Sequence, residues 1–285
     1  MLAFSNASDV AAPGVYLLGF RPEEQVERVV DFALSRGLRR IAALAPDDAY
    51  GRLAMEALRA AVVRGGGELG PTRFYPPGNA IPSDIVREMA QVDRRLEGAA
   101  GRESGVPALE QGVGEPPLVR PPFDAILLPD GGNRLRSVAS LLAYYGADGS
   151  RVRFLGTWRW RTEDSGALTD ATLRGGWFAA PSPAGISAFQ RRFASAFGHE
   201  PDPLAALAYD ATALTAIVAR DLGNRRIDDE ALTAAQGFLG ASGPFRLRPD
   251  GLAEHGLAVL QVGENGALEV ISEPPSSFAA GVAAR

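Results

Sequence analysis

Short apolar runs alternate with amphipathic stretches between residues 23 and 181, and this alternation constrains the fold more than any other feature. The strands predicted in this region cover 39–46, 67–77, 123–128, 152–158 and 175–181. Most stretches between them carry apolar residues at helical spacing, as Val26, Val29, Val30 and Ala33 do on one face of 23–37. Strands that alternate with helices form a parallel sheet with helices on both faces. The sequence therefore predicts an α/β protein built on a parallel sheet.

The remaining segments follow other patterns. The predicted elements there are two short strands (2–5 and 15–18), three successive helices (186–198, 204–222 and 228–239) and a strand-rich tail. The tail turns at Pro249–Asp250–Gly251, and Asn265–Gly266 is a strong hairpin signal. Segment 97–122 is rich in Gly, Pro and Glu and has no apolar period, so it is predicted to be a flexible surface insertion.

Composition excludes several kinds of chemistry. The 285 residues include no cysteine and two histidines, which excludes disulfides, thiolate nucleophiles and Cys-based or multi-His metal sites. All 29 basic residues are arginine, so Schiff-base chemistry and a Walker-type phosphate loop, which both need lysine, are also excluded. The net charge of −5 gives no support for nucleic-acid binding. We therefore expect no metal, no cofactor and no nucleic-acid partner.

Neither histidine is predicted to be catalytic. His199 follows a predicted helix and His255 lies beside a predicted hairpin, so both are expected at polar surface positions. No G-x-S-x-G nucleophile elbow is present, and we predict that the chain is not an enzyme. No apolar run reaches the roughly 18 residues that span a bilayer. The first ten residues also lack the pattern of a signal peptide.

Candidate ligand-binding residues follow the predicted parallel strands, because ligands of such sheets bind beyond the carboxyl ends of the strands. These candidates are Tyr50, Asp130, Thr157, Trp158, Arg159 and Trp160. The alternative to a ligand-binding role for Tyr50 is that its side chain packs into the helix core. If the strand continues through Trp158 and Trp160, alternation places both indole rings on one face. They would then form an exposed recognition surface or cover the apolar end of the sheet.

Asp210 lies within an apolar predicted helix, where an unpaired buried carboxylate would be costly. The sequence shows no partner for it, so a functional and a structural role both remain open.

Several segments together resemble the type I periplasmic binding proteins of the Leu/Ile/Val-binding group. The segments are RRIAALAPDDAYGRLAMEALRAAVVRGGGEL (39–69), FDAILLPDGG (123–132), Phe189 with Phe193, Tyr209–Asp210–Ala211 and FLGASGPFRLRPDG (238–251). Within that group, LAFSN (2–6), NRLRS (133–137) and LGTWRW (155–160) are most similar to penicillin-binding-protein activators. The resemblance adds Ser5 and Asn6 to the ligand-binding candidates, and it implies that the helix with Asp210 lines the cleft between two lobes.

The resemblance also implies the domain organisation. It predicts a complete, Rossmann-like parallel-sheet lobe over 21–183 with 244–285, and an incomplete first lobe over 1–20 with 184–243. Residue 1 is expected to fall late in the first lobe, as in an N-terminally truncated chain. The apolar face of helix 204–222 is then expected to be exposed.

The function implied by the resemblance is that of a non-enzymatic cell-envelope binding protein. It would regulate peptidoglycan synthesis through contacts with a peptidoglycan synthase, and a small polar ligand could occupy the cleft. The alternative is the solute-binding component of an amino-acid ABC transporter. Either protein would act in the periplasm or attached to the outer membrane in its full-length form.

Overall fold

The structure is a computed structural model that describes residues 1–78, 81–91, 120–161, 166–202, 204–223, 227–275 and 278. The insertion predicted over 97–122 lies outside these residues except for its last three positions. The chain divides into two compact units. Unit 1 comprises Met1–Arg28, Ala179–Leu260 and Val270–Arg285, and unit 2 comprises Val29–Phe178 and Gln261–Glu269.

Strands and helices alternate as the apolar pattern predicts. The strands are β1 (Leu2–Ala3), β2 (Tyr16–Leu17), β3 (Arg40–Pro46), β4 (Glu68–Tyr75), β5 (Ala125–Leu127), β6 (Arg153–Gly156), β7 (Trp177–Ala180), β8 (Phe238–Gly240), β9 (Gly243–Leu247), β10 (Ala253–His255), β11 (Ala258–Val262) and β12 (Leu268–Ser272). The α-helices are α1 (Pro22–Ser35), α2 (Ala49–Arg64), α3 (Ser83–Met89), α4 (Gly132–Tyr144), α5 (Pro183–Phe197), α6 (Ala205–Leu222) and α7 (Asp229–Leu232). Short 3-10 helices cover Ser8–Val10, Trp158–Trp160, Ala167–Thr169, Ala171–Leu173 and Glu264–Gly266. None of the described helices is long and apolar enough to cross a membrane.

The main sheet has seven strands in the order β12-β11-β7-β6-β5-β3-β4. Strands β3 to β7 pair in parallel, with Ile41 opposite Ala125 and Ala125 opposite Arg153. Strand β3 is buried from Ile41 to Pro46, which explains its continuous apolar run, because helices cover both faces of a parallel sheet. The predicted α/β fold with a parallel sheet is confirmed.

Helix α2 begins directly against the end of β3. The Asp48 side chain caps the helix by accepting a hydrogen bond from the Gly51 amide at 2.7 Å. A Cβ atom at Gly51 would lie 2.0 Å from the Pro46 carbonyl oxygen, so a glycine is required at this close approach. The cap and the glycine together place Tyr50 at the carboxyl end of the sheet.

Unit 1 contains two smaller sheets. Strands β1 and β2 pair in parallel, and β10-β9-β8 form an antiparallel sheet. Helix α6 buries Leu207, Leu214 and Val218, while Leu204 and Ile217 are 55% and 38% exposed. The core that these strands share with α6 consists of Tyr16, Leu18, Ala211, Leu214, Val218, Phe245, Leu247 and Ala253. The expected exposure of the α6 apolar face is therefore wrong for most of its residues.

The prediction of a third helix in this region, over 228–239, is also wrong. Only Asp229–Leu232 is helical, and Phe238 already pairs with Phe245 in the β8–β9 ladder. Gly237 adopts a φ of 70°, a conformation that a helix does not tolerate. The antiparallel pairing therefore prevails over the weak helical pattern of this segment.

Candidate ligand-binding site

The carboxyl ends of β3, β4, β5 and β6 lie at one edge of the sheet in unit 2 because these strands are parallel. We call this the carboxyl edge and define it by Asp48, Tyr50, Tyr75, Asp130, Arg134, Thr157, Trp158, Arg159 and Arg161. Five of the residues predicted from the sequence lie here. Tyr50 contacts both Thr157 and Arg159, and Asp130 contacts Tyr75 and Arg134.

The first group joins Tyr50, Thr157 and Arg159. The Tyr50 hydroxyl donates a hydrogen bond to the Thr157 Oγ1 atom at 3.0 Å, and Thr157 is fully buried. The Arg159 guanidinium lies over the Tyr50 ring, with its Cζ atom 4.0 Å from the ring centre. A cation in this position is attracted by the negative face of the ring. Tyr50 is half-buried and oriented by these polar contacts, so packing into the helix core is not its sole role.

Two carboxylates border this group, and both already have partners. Asp48 caps α2 through one oxygen, and its Oδ2 atom lies 4.0 Å from the Arg159 Nη1 atom. The neighbouring Asp47 accepts from the Arg52 guanidinium at 2.8 Å. The negative charges at this end of the edge are therefore engaged within the protein.

The second group is built around Asp130, which is 6% exposed. Its Oδ2 atom accepts from the Tyr75 hydroxyl at 2.5 Å and from the Arg134 Nε atom at 2.8 Å. Its Oδ1 atom accepts from the Gly131 amide at 2.9 Å. Burial, followed by the Asp130 charge, raises the pKa of Tyr75, so the phenol remains a proton donor to this carboxylate.

Trp158 and Trp160 differ from the expected strand geometry. Residues Trp158–Trp160 form a 3-10 turn, so the strand does not continue through them and the alternation that would place both indole rings on one face is absent. Trp160 is 1% exposed, and its Nε1 atom donates to the Leu128 carbonyl at 2.9 Å. A Cβ atom at Gly156 would lie 2.0 Å from this ring, so the glycine leaves the space that the indole fills. Trp158 remains half-buried beside the edge.

Arg161 follows this turn and was missed by the sequence reasoning. Its guanidinium lies 5.1 Å from the centre of the Trp158 ring. Its Nη1 atom is buried and has no hydrogen-bond partner in the described part of the chain, and burial lowers the pKa of Arg161. The Nη2 atom of Arg134 is buried in the same way. Asp130 and Arg134 form an ion pair, which their four-residue spacing at a helix start indicates. No local sequence pattern indicates a role for Arg161.

The other three predicted residues lie in unit 1. Ser5 is half-buried, and its Oγ atom accepts from the Ala7 amide at 3.1 Å, while Asn6 is exposed. Asp210 is 1% exposed and accepts from the Ala241 amide at 2.5 Å, the Ser242 amide at 3.0 Å and the Ser242 hydroxyl. The Asp210 carboxylate thus holds the turn between β8 and β9.

The two histidines have different environments. His199 is exposed after α5, as predicted. His255 is buried, which contradicts the surface position expected for it, and its Nδ1 atom lies 2.9 Å from the Glu24 Oε1 atom. The rings of Phe20 and Phe245 pack against it at 4.5 and 6.2 Å. This pair links β10 to the start of α1. Across the part of the chain that the structure describes, no group of three potential ligands could hold a metal ion.

Comparison with known proteins agrees with this architecture. A family model described as a periplasmic binding protein matches residues 2–267. No curated protein sequence matches the chain significantly.

Solved structures with this fold share little sequence with the chain. A putative branched-chain amino acid ABC transporter protein from Rhodospirillum rubrum has a TM-score of 0.71 at 18% identity, covering 91% of this chain and 68% of its own. A solute binding protein of an ABC transporter from Rhodopseudomonas palustris BisB5, in complex with 3,4-dihydroxybenzoic acid, has a TM-score of 0.60 at 18% identity, covering 92% and 67%. A leucine binding protein from Thermotoga maritima MSB8 has a TM-score of 0.58 at 18% identity, covering 92% and 68%.

Proposed function

Because the chain belongs to the periplasmic binding protein family, we propose that it is a non-enzymatic, solute-binding protein that serves an ABC transporter. The observation that carries this proposal is the Tyr50–Thr157–Arg159 group at the carboxyl edge. There an oriented hydroxyl, a half-buried guanidinium and an aromatic face converge. A few placed polar groups beside aromatic surface are what a small-molecule site requires.

The comparisons favour this function over regulation of a peptidoglycan synthase. The solved structures similar to this chain include a solute binding protein of an ABC transporter and a leucine binding protein. The similarity of LAFSN, NRLRS and LGTWRW to penicillin-binding-protein activators remains a prediction. The membrane component of an ABC transporter is the partner that the proposal requires, and the periplasm is the compartment where the two would meet.

Ligand binding by the Tyr50→Phe variant tests the proposal. The wild-type chain is titrated calorimetrically with leucine, valine, isoleucine, benzoate and 3,4-dihydroxybenzoate, and at least one of them is expected to bind. Tyr50→Phe removes the hydrogen bond to Thr157 and should weaken that binding roughly three- to tenfold, the usual range for one neutral hydrogen bond.

Tyr144→Phe is the matched control, because Tyr144 is 80% exposed on α4. The affinity of this variant should equal that of the wild type. Absence of binding for every compound, or equal affinity of the Tyr50→Phe variant and the wild type, contradicts the proposed site.

A further inference from the structure

The carboxylates of the carboxyl edge are all engaged by donors of the protein. Asp130 accepts from three donors, namely the Tyr75 hydroxyl, the Arg134 side chain and the Gly131 amide. Asp48 caps α2 and faces Arg159. The ammonium group of an amino acid requires a carboxylate that can accept from it. Among the described residues of this edge, each such carboxylate would have to give up an existing partner first.

The cations of the same edge are less completely paired. Among the residues that the structure describes, the Nη1 atom of Arg161 and the Nη2 atom of Arg134 are buried without hydrogen-bond partners. The neighbouring Asp47 and Arg52 are exposed and pair with each other. The described residues of the edge include three guanidinium groups and two carboxylates, those of Arg134, Arg159, Arg161, Asp48 and Asp130. The described residues of the edge therefore carry an excess of positive charge, although the net charge of the chain is −5.

Arg161 also has an aromatic neighbour that an anion with an apolar body could use. Its guanidinium lies 5.1 Å from the centre of the half-buried Trp158 ring. A planar guanidinium binds a carboxylate through two parallel hydrogen bonds, and a desolvated one gains most from doing so. The combination suits a carboxylate head beside the guanidinium and a hydrocarbon or aromatic body against the ring.

We propose that the ligand is an organic carboxylate without an ammonium group, and that Arg161 is the residue that binds its carboxylate. This inference rests on the proposed function and adds to it the chemical class of the solute. It predicts discrimination against amino acids, because their ammonium group would meet an edge with surplus cations and occupied carboxylates.

Two pairs of compounds that differ only in the ammonium group test the ligand class. 3-Phenylpropanoate is compared with phenylalanine, and 4-methylpentanoate with leucine, by calorimetric titration of the full chain. In at least one pair the compound without the ammonium group should bind tighter by about tenfold or more, the effect of one unfavourable charge–charge contact. If the compound without the ammonium group binds tighter in neither pair, the inference is wrong while solute binding stands. If no compound in this panel or in the preceding one binds, the proposed function itself fails.

Arg161→Gln tests the anchoring residue. The variant should lose about tenfold or more in affinity for the carboxylate, because one charge-assisted contact is removed. Arg64→Gln is the control, since Arg64 lies at the opposite end of α2 and pairs with Asp31. Far-UV circular dichroism shows whether both variants are folded, and a loss of affinity in a folded variant separates a role in binding from a role in folding. Unchanged affinity of the Arg161→Gln variant would exclude Arg161 as the anchor.

Discussion

At the scale of single residues, burial decides which charged groups belong to the fold and which remain available for a ligand. Asp210 and His255 are buried and hydrogen-bonded within unit 1, to Ser242 and Glu24 respectively. Arg161 is buried in part and incompletely partnered in unit 2. A buried polar group without a partner is costly, so each such group in a folded protein requires an explanation.

The structural role of Asp210 predicts a large loss of stability on its removal. Asp210→Ala leaves the buried amides of Ala241 and Ser242 without an acceptor and should lower the free energy of unfolding by roughly 2–3 kcal/mol. Asp221→Ala, at an exposed position of the same helix, should change it by less than about 0.5 kcal/mol. Urea unfolding followed by circular dichroism measures both values. Similar stabilities of the two variants would refute the structural role.

The raised pKa of Tyr16 predicts a loss of stability at alkaline pH. Burial, followed by the 2.7 Å hydrogen bond to Asp229, raises its pKa from 10.0 to about 12. The unfolded chain therefore releases this proton near pH 10, whereas the folded chain holds it until about pH 12. The folded state binds more protons in this interval, so its stability is fully present below pH 10 and decreases towards pH 12.

Tyr16→Phe removes this proton and serves as the comparison. The difference in unfolding free energy between wild type and variant should shrink as the pH rises through that window, in urea titrations at a series of pH values. A difference that is independent of pH would show that the phenol does not titrate as its environment indicates.

At the scale of elements, the close fit between strand ends and the turns that follow them shapes the carboxyl edge. Gly51 lets α2 begin against Pro46, and Gly156 lets the Trp160 ring fold back under β6. Both glycines have ordinary backbone angles, so the requirement is for space and not for an unusual conformation. These two contacts orient Tyr50 and Thr157, which form the centre of the candidate site.

Gly156→Ala should therefore destabilise unit 2. The added methyl group would lie 2.0 Å from the Trp160 Cε2 atom, and overpacking of this kind costs roughly 1–3 kcal/mol. At Gly149 the nearest atom to an added Cβ lies at 3.2 Å, so Gly149→Ala should cost markedly less. Thermal unfolding monitored by tryptophan fluorescence compares the two. Equal midpoints would mean that the indole ring moves aside without cost.

At the scale of the whole molecule, the family and the fold agree although little sequence is shared. The solved structures named above are 18% identical to this chain, and the chain spans about two thirds of their length. Low identity is compatible with a common fold because burial and periodicity can be kept by many sequences. The lobe bounds expected from the resemblance, 21–183 with 244–285 and 1–20 with 184–243, remain a prediction.

Local sequence patterns by themselves determined the parallel sheet, most helix positions and the edge at which Tyr50, Asp130 and Thr157 lie. These features depend on periodicity and on neighbours close in the chain, which can be recognised in a linear sequence. Only the tertiary structure decided that Trp160 fills the core, that His255 is buried and that Arg161 lacks a complete set of partners. Asp210 finds its partners about 30 residues away, at Ala241 and Ser242. Such contacts form because the fold brings distant segments together and removes water from them, and no local pattern specifies which groups then meet.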